Sequence, residues 1–97
     1  MRKMNRISVV MITRLLSLID AFCAARGISE ARASTLIFNG GARVSQIRGG
    51  ADIGVRRMQA AMLWISENWP EGAGWPADIP RPQREDVLLQ HAEDRAA

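Results

Sequence analysis

Four polar side chains, Arg43, Ser45, Gln46 and Arg48, fall within six residues around the apolar pair Val44 and Ile47. An arginine fork can make two parallel hydrogen bonds to guanine, a glutamine amide two to adenine, and a serine hydroxyl one to either kind of base edge. On a helix, Val44 and Ile47 stand three apart and share the inward edge, which turns the four polar side chains towards solvent. The pattern predicts a short helix over residues 42–48 with Arg43, Ser45, Gln46 and Arg48 as base-reading candidates. Arg32 before it, and Arg56 and Arg57 after it, are candidates for backbone phosphates, which position a protein without reading sequence. Exposed Arg and Gln are also the ordinary face of a solvated helix, so the case rests on the flanking elements and the charge distribution.

The elements that would position these residues follow from apolar periodicity. Residues 1–8 read as a basic arm. Residues 9–26 carry Ile12, Leu15, Leu16, Ile19, Phe22 and Cys23 at helical spacing, and Gly27 is a suitable stop. A strand over residues 6–12 is an alternative, because Val9, Val10 and Ile12 are β-branched. Ser29 is an N-cap for a second helix over residues 30–38, with Ala33, Leu36 and Ile37 inward and Arg32, Ser34 and Thr35 on the surface. Asn39, Gly40 and Gly41 supply left-handed turn conformations, and Gly49 and Gly50 end the third helix. Val55, Met58, Met62, Ile65 and Trp69 then mark a fourth helix that Pro70 terminates. Residues 71–97 begin as a Pro/Gly/Trp-rich tail in which Trp75 and Ile79 are too apolar to leave in water, so the tail is expected to fold back. Residues 83–95 allow a fifth, weakly amphipathic helix through Val87, Leu88 and Leu89. The fold class expected is all-α: a four- or five-helix bundle containing a helix-turn-helix, in one domain over residues 9–70 with an arm and a tail.

Length and composition fit that expectation. A chain of 97 residues, 47% hydrophobic and 24% charged, is one folded domain. Residues 1–57 hold ten basic and three acidic side chains, and residues 58–97 hold three basic and seven acidic. Such asymmetry favours a polyanion partner for the first part. Twelve of the thirteen cations are Arg, which suits phosphate and guanine, although a GC-rich genome also favours Arg codons. Cys23 is the only cysteine, so an internal disulfide is impossible and a reducing cytoplasm is the natural setting. No uncharged run reaches the ~20 residues of a membrane span. Enzyme chemistry is not expected. No phosphate-cradling loop, metal-ligand cluster or nucleophile with a nearby base can be assembled, and Cys23 and the single His91 lie far apart in sequence. No cofactor or metal is called for.

The segments Gly-Ile-Ser-Glu, Ser-Thr-Leu and Val-Ser-Gln-Ile-Arg-Gly-Gly, between Gly27 and Trp69, resemble the small Cro and lambda-repressor-like regulators. The Trp-Pro ending and the following Trp-Pro-Ala-Asp-Ile-Pro are similar to short helix-turn-helix proteins of alphaproteobacteria and their phages or mobile elements. The resemblance covers residues 12–82 and implies a compact helical domain, operator binding as a dimer, and transcriptional control, with residues 42–48 as recognition helix. With Gly41 at the ninth place of the usual pattern, Leu36 and Ile47 fit its apolar places and Ile37 stands where a small residue is usual. The expected function is a sequence-specific DNA-binding repressor, with double-stranded DNA and a second copy of the chain as partners. The rival is a protein-binding inhibitor or antiactivator on the same bundle, in which the tail makes the contact.

Overall fold

The computed structural model describes residues 6–83. They form α1 (Arg6–Arg26), α2 (Glu30–Phe38), α3 (Arg43–Arg48) and α4 (Val55–Glu67), with no strand among the described residues. The chain is an all-helical bundle. The fifth helix considered for residues 83–95 lies almost wholly outside the described residues.

Helix α1 begins at Arg6 rather than after a residue 1–8 arm, and the strand alternative for residues 6–12 is not realised. At ~1.5 Å per residue it is roughly 32 Å long against roughly 20 Å for α4, so it outreaches its partner. Its buried stripe is Ile12, Leu15, Leu18, Ile19 and Phe22, while Leu16 and Cys23 are only half-buried. Gly27 ends it in the left-handed region (φ 68°), with the Gly27 and Ile28 N–H groups donating to the Cys23 carbonyl at 2.8 and 3.1 Å. The Cys23 thiol faces the Ser29 carbonyl at 3.7 Å. Burial, then the nearby Asp20 and Glu30 carboxylates, push its pKa up, so the thiolate is disfavoured.

Ser29 caps α2, its hydroxyl accepting from the Arg32 N–H at 3.1 Å. The inward stripe of α2 is Ala33 and Ser34, both fully buried, with Ile37 half-buried; Leu36 is 41% exposed. The expectation of an inward Leu36 and a surface Ser34 is corrected. Residues 30, 33, 34 and 37 are the i, i+3, i+4, i+7 row, and Leu36 lies outside it.

In the turn, Asn39 alone takes the left-handed conformation (φ 59°), its N–H returning to the Thr35 carbonyl at 2.9 Å. Gly40 and Gly41 do not have positive φ, so the turn uses one left-handed residue where three were available. Ser34 closes it. Its hydroxyl donates to the Gly40 carbonyl and accepts from the Val44 N–H at 3.1 Å, so one side chain satisfies a turn acceptor and a helix donor. Val44 and Ile47 then seat α3 in the core.

Helix α4 buries Met58, Ala61, Ile65 and Ser66, with Met62 half-buried. Val55 is 58% exposed, so the apolar stripe starts at Met58. The helix stops at Glu67 because Trp69 precedes Pro70, whose ring disfavours a helical conformation in the residue before it.

Residues 70–83 return to the bundle. Ile79 is 4% exposed and belongs to the core. Trp69 meets Trp75 edge-on at 4.8 Å, and Phe22 meets Trp64 edge-on at 5.6 Å. The indole N–H groups of Trp69 and Trp75 donate to the carbonyls of Ala73 and Ile79 at 2.8 and 2.7 Å. Arg81 stacks over Trp75 at 5.0 Å and donates to the Ser66 hydroxyl and carbonyl at 3.0 and 2.8 Å. These contacts make the segment part of the globule rather than a loose tail. No described helix is long and apolar enough to cross a membrane.

Candidate nucleic-acid interface

Helix α3 is six residues long, with Ala42 as its N-cap. At ~100° per residue, Val44 and Ile47 point to one side, while Ser45 and Gln46 centre on the opposite side. Both are exposed. Arg43 and Arg48 stand about 140° apart on the two flanks of the buried edge. The four expected readers therefore divide into three settings.

Gln46 and Ser45 form the outward face. Their side chains make no hydrogen bond among the described residues. Arg43 is half-buried and donates from one terminal nitrogen to the Asp52 carbonyl at 2.8 Å, which ties it to the loop before α4. It still has further N–H groups to offer. Arg48 is bound on both sides: Nε donates to Glu30 of α2 and a terminal nitrogen to Asp20 of α1. The hydrogen bond to Glu30, opposed by burial and helped by Asp20, raises its pKa further above an already high value. With Nε and one terminal nitrogen so engaged, Arg48 keeps fewer N–H groups for a base edge than a free arginine, and its side chain is directed to α1 and α2. The structure gives Arg48 to the α1–α2–α3 junction, and it stands apart from the other three.

The phosphate candidates are all exposed. Arg32 sits in the first turn of α2, and Arg56 and Arg57 in the first turn of α4. Gly54, the N-cap of α4, has no side chain to cap the helix, and the positive end of the helix dipole adds to two arginines. Arg32 and Arg57 have no intramolecular side-chain partner among the described residues.

A groove of about 790 Å³ separates α3 from α4. It brings Arg43, Gln46 and Arg57 together over an apolar floor that includes Ile37, Phe38, Ala61 and Trp64. Ser45, Arg48, Arg32 and Arg56 do not line it. Two features escaped the sequence reading. Ser34 was legible as a member of the 30–33–34–37 row. Trp64 and Phe38 were not, because their shared groove depends on how α2 and α4 meet.

Among the described residues no group of three or more His, Cys, Asp or Glu side chains could hold a metal ion. Comparison with known protein families, with curated proteins and with solved structures returns no match to this chain.

Proposed function

We propose that the chain is a sequence-specific DNA-binding transcription regulator, a repressor that acts as a homodimer and reads the major groove with α3. The observation that carries this reading is the outward face of α3: Ser45 and Gln46 are exposed, without internal partners among the described residues, and flanked by Arg43 and Arg57. A helix seated on an apolar edge with such a face is what major-groove docking requires. Gln46 and Ser45 are the base readers, Arg43 joins them from its flank, and Arg32, Arg56 and Arg57 hold phosphates. Arg48 is reassigned from reading bases to holding α3 on α1 and α2.

Dimerisation supports useful specificity, since one small module reads too few base pairs and two modules one turn, about 34 Å, apart double the site. The overhanging first turns of α1, where Val9 and Val10 are 47% and 46% exposed, are the surface offered for it.

The test is a gel shift with the duplex upstream of the chain's own gene against a scrambled duplex of equal length. Retention of the upstream duplex at concentrations that leave the scrambled one free is expected. Equal binding of both reduces the reading to non-specific attraction. Binding of neither favours the protein-binding inhibitor.

A further inference from the structure

The groove between α2, α3 and α4 has a composition that DNA reading alone does not use. Its floor is aromatic and aliphatic, with Phe38 and Trp64 half-buried and Ala60 and Ala61 leaving room beside them. Among the described residues, the only formal charges in its wall are Arg43 and Arg57, and no carboxylate lines it. Its volume, about 790 Å³, lies within the roughly 300–1,000 Å³ of small-molecule sites.

We propose that this groove binds a small carboxylate carried on an aromatic or aliphatic body, and that the bound ligand displaces DNA. The second half rests on the DNA-binding reading above; the first does not. Apolar floor and cationic rim select opposite ends of one molecule. The hydrocarbon body lies on Trp64 and Phe38, and the carboxylate meets the guanidinium of Arg57 and the remaining N–H groups of Arg43, whose position the Asp52 carbonyl already braces. A neutral analogue leaves both arginines unanswered. Gln46 and Arg57 belong to the groove and to the duplex-facing surface at once, so ligand and DNA compete for the same groups.

The probe is 1-naphthaleneacetate, with 1-naphthaleneacetamide as neutral control, titrated into the full chain while the Trp64 indole N–H and the Gln46 amide are followed by NMR. Saturable shifts at both are expected, with affinity at least tenfold weaker for the amide. Arg57→Ala should weaken the carboxylate by a similar factor. Ala60→Trp, at an exposed position, should fill the groove and abolish the shifts while the remaining spectrum stays dispersed. Absence of saturable shifts, equal binding of the amide, or unchanged binding to Ala60→Trp overturns the site. A separate titration of a bound duplex with the same probe tests displacement, and a duplex that stays bound at saturating probe overturns that half. Probe binding by a chain that retains no duplex at all removes the regulator reading and leaves the ligand site standing.

Discussion

The arginines at the two ends of the bundle are used in opposite ways. Where α1, α4 and the returning segment meet, Arg26 donates to the Asn68 carbonyl at 3.1 Å and stacks on Phe22, and Arg81 donates to Ser66 and stacks on Trp75. Their forks close the fold. At the α3–α4 end, Arg57 lines an open groove and has no internal side-chain partner among the described residues. The same residue type thus serves as mortar at one end and stands open to solvent at the other. Counting arginines along the chain does not separate the two uses; what separates them is whether a carbonyl and a ring lie within reach.

Substitutions can break this contrast. The largest effect is expected from Ile79→Ala, which empties a core position held by the returning segment and should cost about 3 kcal/mol in chemical denaturation. A change below about 0.5 kcal/mol would mean that residues 71–83 are not part of the stable unit. Next is Ser34→Ala, which strands the Val44 N–H, leaves the Gly40 carbonyl only the Arg43 N–H at 3.4 Å, and should cost about 2 kcal/mol. Because that hydroxyl sets α3 on α2, the variant should also lose duplex affinity, whereas Ile79→Ala should keep it wherever the protein stays folded.

Arg81→Ala and Arg57→Ala form a direct pair. The first should lower stability by about 1 kcal/mol through lost packing and hydrogen bonds and leave duplex binding unchanged. The second should keep stability within about 0.5 kcal/mol and weaken all duplexes alike. Arg48→Ala sharpens the division within α3. Its two ion pairs are partly exposed, so the expected loss is at most about 1 kcal/mol. Base preference should survive it, while Gln46→Ala should relax that preference at a cost of about 1–3 kcal/mol at the operator. The smallest effect concerns Cys23. Its raised pKa in the fold means that the thiol's contribution is fully present below the ordinary thiol pKa and is lost as pH rises through the folded value. Cys23→Ala should remove that alkaline decline, and the native thiol should alkylate slowly at neutral pH.

The helices were legible in the sequence because their signals are local. Gly27, Ser29 and Pro70 punctuate the chain by backbone geometry that acts over one or two residues, and the α4 row from Met58 to Ile65 is regular. The start of α1 was missed because β-branched Val9 and Val10 lower helix propensity without preventing a helix. The burial of Ser34 was missed because polarity was weighed above position. The fate of Arg48 could not be read at all, since Asp20, Glu30 and Arg48 lie up to 28 residues apart and meet only when three helices pack. The candidate readers were therefore legible only as residue types, and the packing decides which of them faces outward.

The most direct test of outward-facing arginines is the salt dependence of duplex affinity. With Arg32, Arg56 and Arg57 each neutralising one phosphate, log K should fall with log salt at a slope of about −2.7 per protomer, and Arg57→Ala should make that slope shallower by about 0.9. A slope near zero, or one that Arg57→Ala leaves unchanged, would contradict phosphate binding by these arginines.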